Sequence, residues 1–292
     1  MQDVDTIRLK KYYISSPQRS NKMIKNWLIR GDTHGNFSWI YDGVLSNYKP
    51  KETAIIILGD AGFNFYLNET DERKKKEVND LHYTFYCVRG NHEARPSDVP
   101  GMLEVFDPEV DGYVYLQNDY PYIRYFKDYG IYNINGYSVG VISGAYSVDK
   151  WYRLGYCTPD HNDPKKTGWF SNEQLTSEEM ADVNRLFKGK ELNFVMTHTC
   201  PYSWRPTDLF LSGIDQSLVD NTMEFWMDKI KDTFQWDVWL FGHYHADRVE
   251  RPRVEMYYNN FDELEVIYNR WRQYDSTGTL PWWIIKSPNF DN

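Results

Sequence analysis

The chain has 292 residues, 41% hydrophobic and 26% charged, a soluble globular balance with room for one substantial core. A formal net charge of −9 argues against a non-specific nucleic-acid binder, which needs a basic face, although bound cations can make a cleft locally positive. Cys87, Cys157 and Cys200 are odd in number and lack CxxC spacing, which argues against a disulfide framework and suits a reducing compartment.

Residues 1–25 are polar and basic-tinged, and read as an N-terminal extension. The acidic start Met1–Asp5 has no apolar h-region, so no secretory signal is expected there, and Ile55–Leu58, the longest purely aliphatic run, is too short to span a bilayer. The expectation is a cytoplasmic protein with no membrane attachment. From residue 26 a pattern recurs, in which a short apolar run ends in Gly, Asp, His or Asn. Trp27–Ile29 leads to Gly31-Asp32-Thr33-His34, Ala54–Leu58 to Gly59-Asp60, and Phe85–Val88 to Arg89-Gly90-Asn91-His92-Glu93. Phe194–Met196 leads to Thr197-His198, and Val238–Phe241 to Gly242-His243-Tyr244-His245. Runs of this kind predict buried strands. Asn68–Asp80 and Ser177–Lys188 have helical composition, and Thr176 with Glu179 forms a capping-box start for the second. The Lys74–Lys76 run reads as a solvated helix face. Alternating strands and helices predict an α/β domain over residues 26–250, with function gathered beyond the carboxyl ends of the strands. Residues 251–292 read as an aromatic-rich segment packing on the same domain. It has helical spacing over 255–272 and a late strand or docking segment at Pro281–Ile285.

Every motif above sits at the end of a predicted strand. Asp-x-His, a lone Asp, Asn-His, a His and His-x-His together supply hard oxygens and imidazoles, a mixture suited to Zn, Mn or Fe rather than to a thiolate site. A carboxylate can bridge two cations while flanking ligands complete each one.

In order and in residue type, these five motifs resemble the signatures of the calcineurin-like metallophosphoesterases, over about residues 26 to 250. The resemblance implies a four-layer α/β/β/α sandwich of two mixed sheets with outer helices. It also implies a dinuclear centre between the sheet ends, holding two divalent ions, Mn²⁺ first and Fe or Zn as alternatives. Asp32, His34 and His245 would hold the first ion, and Asn91, His198 and His243 the second, with Asp60 bridging. Asp60 and His92 would be the catalytic pair, with His92 near the scissile phosphate. Ions held in this way would lower the pKa of a shared water toward neutral. His92, if protonated, would stabilise the developing charge or donate a proton to the leaving oxygen, with a merely structural histidine as the alternative.

Two departures matter. Many relatives carry a second Asp three residues after the bridging one, to orient the catalytic histidine, and here that position is Phe63. The Asp-Arg-Gly that follows the bridging Asp in phosphoprotein phosphatases is also absent, so another guanidinium would have to clamp the phosphate. Gly144-Ala145-Tyr146-Ser147-Val148-Asp149-Lys150-Trp151-Tyr152-Arg153 resembles a stretch found in a bacterial and phage branch. It offers Arg153 and Lys150 as substrate contacts, with a surface salt bridge as the alternative. Glu93 is expected to take a hydrogen bond from a ligand histidine. His82, His161 and Cys200 are read as having no part in the site.

The expected function is hydrolysis of a phosphate ester. A phosphomonoesterase acting on a phosphoprotein or small phosphorylated molecule stands ahead of a phosphodiesterase acting on cyclic nucleotides or nucleic-acid ends. A metal-free interaction scaffold on the same fold is the third reading. Nucleic acid as a partner is possible in chemistry but not indicated by the charge.

Overall fold

The structure is a computed structural model that describes residues 24–156, 168–210, 212–213, 215–288 and 290. All but two residues of the expected N-terminal extension fall outside these, as do Cys157 and His161.

Two mixed sheets form the frame. The first contains β1 (Asn26–Arg30), β2 (Thr53–Ile57), β3 (Thr84–Cys87), β4 (Met102–Asp107), β5 (Gly112–Gln117), β6 (Ile123–Phe126) and β13 (Phe261–Glu263), in the order β13-β1-β2-β3-β6-β5-β4. The second contains β7 (Tyr129–Ile134), β8 (Tyr137–Ile142), β9 (Glu191–Thr197), β10 (Gln235–Phe241), β11 (Arg248–Arg251) and β12 (Val254–Met256), in the order β11-β12-β10-β9-β8-β7. The central neighbours, β1-β2-β3-β6 and β8-β9-β10-β12, are parallel. The outermost pairings are antiparallel.

Alternation along each strand assigns the faces. Ile29, Ile56 and Tyr86 meet Val139, Phe194, Met196 and Leu240 in a shared core between the sheets. Leu28, Ile55, Ile57, Phe85 and Cys87 point the other way, to Val78 of helix α1 (Glu69–Asn79) and to Phe37 and Leu45. On the outside of the second sheet, Val195, Trp239 and Phe241 pack under α3 (Ser177–Phe187) and α4 (Thr222–Ile230). The layers are those of an α/β/β/α sandwich. Asn68 caps α1, and both arms of the Thr176–Glu179 capping box are present at α3. A short helix α2 (Lys150–Tyr156) follows β8.

Two expectations change. Lys75 is 2% exposed and donates to Glu72 and Gln117, while Lys74 reaches the carbonyl of Gly62. The lysine run is therefore not one solvated face, because its long stems turn inward toward acceptors. The helical spacing over 255–272 is carried by a helix only from Leu264, as α5 (Leu264–Thr277). Ahead of it the chain makes β12 and β13, because each finds a sheet edge to pair with. Pro281–Ile285 docks rather than adding a strand, through Val249 N–H to Ile285 O (2.8 Å) and Ser287 N–H to Val249 O (2.7 Å).

Candidate metal centre

The loops after β1, β2, β3, β9 and β10 converge, each leaving the carboxyl end of a parallel strand, so residues far apart in sequence meet. Crowding demands special backbone. His34, Asp60, His243 and His245 all have φ between 46° and 69°, a left-handed conformation that side chains rarely adopt and that clusters at functional sites. At Gly59 (φ +103°) a Cβ would lie 1.9 Å from His198 Nδ1, so only glycine lets that ring approach.

Two carboxylates lie at the middle. Asp32 Oδ1 accepts the backbone N–H of His243 at 2.9 Å, and Asp60 Oδ1 accepts that of His92 at 2.8 Å. Each carboxylate thus has one oxygen pinned and the other turned inward. Asp32 Oδ2 lies 3.3 Å from His245 Nε2 and 3.8 Å from His34 Nε2, is buried, and has no hydrogen-bond partner. Asp60 Oδ2 lies 3.4 Å from His198 Nε2 and 3.9 Å from His34 Nε2. The Nε2 atoms of His34 and His245 are 2.9 Å apart. Asp32, His34 and His245 form one group with metal-ligand spacing, and Asp32, Asp60 and His198 a second that shares Asp32.

His198 is fully buried, with Nδ1 held 2.8 Å from Leu58 O and Nε2 facing Asn91 Oδ1 at 2.9 Å. A carbonyl partner puts the proton on Nδ1 and leaves Nε2 as the lone-pair donor, the tautomer a ligand needs. The His243 ring lies 4.9 Å from that of His198. Burial would lower the pKa of His198, but Asp60 and Asp32 outweigh it and push it up to about 9. Burial and the neighbouring His198 push His243 down to about 3. Burial opposes ionisation of Asp60, yet His198 and His92 hold it well below the usual carboxylate range. Two carboxylates side by side in a buried setting call for positive charge, and the orphaned Asp32 Oδ2 marks where one would sit. The donor set fits divalent cations.

His92 is half-buried at the rim, its ring 5.4 Å from that of His34. Burial lowers its pKa and Asp60 raises it, with Arg153 and Asp149 acting in opposite senses. Phe63 offers it nothing polar. That side chain is fully buried and stacks on Phe37 at 4.7 Å, in the outer core of the first sheet. Arg153 comes to the His92 side, where its Nε donates to Asp149 (2.7 Å) and its Nη1 to Gly168 O (2.9 Å). Lys150 instead lies over the rings of Trp169, Trp151 and Tyr146, at 4.5, 5.1 and 5.7 Å. Arg89, beside the Asn-His motif, is fully buried and bound to Asp128, Gly90 O and Glu173 O, so it clamps loops together.

Glu93 does not meet a ligand histidine. It accepts from Tyr125 OH (2.6 Å) and from the N–H groups of Gly90 (3.2 Å) and Ala61 (3.4 Å), because it points down into the base of the site. Cys200 is buried 3.8 Å from Tyr244 OH, and burial pushes its thiol pKa well up, against a thiolate role. His82 packs against Tyr122, away from the site. Three contributors carry no motif of their own. Tyr258 stacks on His245 at 4.7 Å, Ser147 accepts from Asn91, and Glu173 accepts from Ser147. Ser147 lies in the Gly144–Arg153 stretch, which is the one signal that could have flagged it.

A family model described as calcineurin-like phosphoesterase matches residues 28–247. No curated protein sequence matches. Among the solved structures it resembles, a crystal structure aligns with 84% of this chain and 96% of its own, at 13% identity and a TM-score of 0.42. The matched segment runs from β1 to just past His245 and contains Asp32, His34, Asp60, Asn91, His198, His243 and His245: the chain belongs to the calcineurin-like phosphoesterases, a family of metal-dependent hydrolases.

Proposed function

We propose that the chain is a dinuclear phosphomonoesterase in which Asp32, His34 and His245 hold one divalent ion, and Asn91, His198 and His243 the other. Asp60 is shared between them. The observation that carries this is Asp60 Oδ2, which lies 3.9 Å from His34 Nε2 on one side and 3.4 Å from His198 Nε2 on the other. Bound there, two divalent cations, Mn²⁺ by preference with Fe or Zn as alternatives, would supply Lewis acidity that neutralises ester oxygens and lowers the pKa of water. The chain does the rest. The backbone N–H groups of His92 and His243 hold the two carboxylates in register. Leu58 O sets the tautomer of His198. His92 stands at the rim as the group that passes a proton to the departing alkoxide oxygen when water attacks phosphorus and the ester P–O bond breaks.

A monoester is favoured over a diester on the reading that Arg153, which lies over the Phe65 ring beside His92, would supply a guanidinium to the extra charge of a dianionic phosphate. Lys150, packed among aromatic rings, is the weaker candidate for substrate contact. Cys87 and Cys200 are free thiols, which supports a reducing, cytoplasmic setting, and no described helix is long and apolar enough to cross a membrane. The test is metal analysis of the purified protein, with parallel hydrolysis of a generic phosphomonoester and a generic phosphodiester in Mn²⁺. Two equivalents of metal and faster monoester turnover are expected. Faster diester turnover would reverse the substrate class, and neither metal nor turnover would sink the enzyme reading altogether.

A further inference from the structure

An asparagine ligand has a weakness that histidine and aspartate lack. Its amide is nearly symmetric in shape, but only the oxygen end can bind a cation; the NH₂ end repels one. Something must therefore fix which end of Asn91 faces the centre. Its Oδ1 lies 2.9 Å from His198 Nε2, while its Nδ2 donates to Ser147 Oγ at 2.9 Å. Ser147 in turn donates from Oγ to Glu173 Oε2 at 2.6 Å and from its backbone N–H to Glu173 Oε1 at 3.0 Å. A hydroxyl has one hydrogen. Committed to Glu173, Ser147 can only accept from Asn91, so the NH₂ end is drawn away from the centre.

We infer that Ser147 and Glu173 are positioning residues that fix the orientation of the Asn91 amide, which rests on Asn91 being a metal ligand as proposed above. The relay is dry, with Asn91, Ser147 and Glu173 at 1%, 2% and 3% exposure, so no water can take over a lost partner. It is also anchored from behind, where Arg89 Nη1 donates to Glu173 O at 2.8 Å and Gly144 N–H donates to Arg89 O at 2.8 Å. Burial raises the pKa of Glu173, and the two Ser147 hydrogen bonds, Trp169 and Lys150 act against that rise.

Glu173→Gln tests the direction of the relay without changing its shape. With the glutamine oxygen kept on the Ser147 N–H, its NH₂ faces Ser147 Oγ, the hydroxyl turns toward Asn91, and the amide is driven to present NH₂ to the centre. Ser147→Ala removes the relay and stays informative if the first variant fails to fold. Equilibrium dialysis against Mn²⁺, with bound metal counted and melting temperature recorded for each metal-free protein, reads the outcome. Wild type should bind two ions. Each variant should keep one at wild-type affinity and bind the other roughly 10- to 100-fold more weakly. Unchanged affinities at both sites, or equal weakening of both, would overturn the inference and leave a merely structural clamp. A wild type that does not bind two ions would instead overturn the dinuclear centre itself, and the relay with it.

Discussion

The two halves of the centre are built on opposite plans. The half around His198 is enclosed, with His198 and Asn91 at 0% and 1% exposure and each held by a second partner, Leu58 O and Ser147. In the half around His34 and His245, the side chains are 36% and 48% exposed, and their Nε2 atoms face each other. The flat face of Tyr258 stacks on His245. In the inner half the protein holds the ligands in place before any cation arrives. In the outer half Asp32 is pinned by the His243 N–H, but a cation would have to gather the two histidines. Preorganisation raises affinity by removing the cost of ordering, so the inner ion should be the tighter and the outer one the more exchangeable.

The largest expected effect comes from removing what the halves share. Asp60→Asn keeps the shape but loses the charge between His34 and His198, and should lower kcat/KM on the order of a thousandfold, with metal content falling at both sites. A loss confined to one site would break the picture of a shared carboxylate. Next, the halves should differ in what they do for stability. His198→Ala empties a buried position and orphans Leu58 O, at about 2–4 kcal/mol in a urea titration of the metal-free protein. His34→Asn, which tolerates the left-handed backbone, should cost within about 0.5 kcal/mol, although each variant loses a metal. Equal stability costs would remove the contrast.

The smallest effect is a pH dependence of stability set by Glu93 and His198. Burial, followed by the nearby Asp60, pushes the Glu93 pKa up to about 7. A carboxyl whose pKa is higher folded than unfolded binds its proton more tightly in the native state. Its stabilisation is therefore complete below the unfolded value near 4.5 and is lost as pH rises through about 7. His198, pushed up to about 9, loses its contribution later, between about 6.5 and 9. Melting of metal-free Glu93→Gln should lose the lower step, a change of several degrees in melting temperature, and keep the upper one. An unaltered profile would place the lower step on another group.

How far the sequence reaches follows the same division. The strands that carry ligands were legible because they are buried on both faces and end in turn residues that must also bind, so composition and punctuation coincide. Strands β4 and β5, at one edge of the first sheet, and β7, at one edge of the second, are antiparallel and half solvated, and no single run marks them out. The tail misled because Phe261 and Leu264 share a helical spacing while Phe261 answers to a sheet edge, a long-range pairing that local pattern cannot see. Within the site, ligand identities were visible as motifs and their supports were not. Glu173 looks like the approach to a helix, and nothing within a few residues of it refers to Asn91. Phe63 was visible as a departure, and its burial against Phe37 shows that the position has become core.

Strand β13 carries a consequence for the order in which the molecule can be made. It covers the outer edge of β1, with Leu28 opposite Glu263 and Arg30 opposite Phe261, and the loop before it brings Tyr258 under His245. During translation β1 emerges early and its covering strand more than two hundred residues later, so the nascent chain exposes an open edge able to pair with a neighbouring molecule. A ribosome that has released every metal ligand, through His245, has not yet released the strand that closes the sheet leading into Asp32 and Asp60.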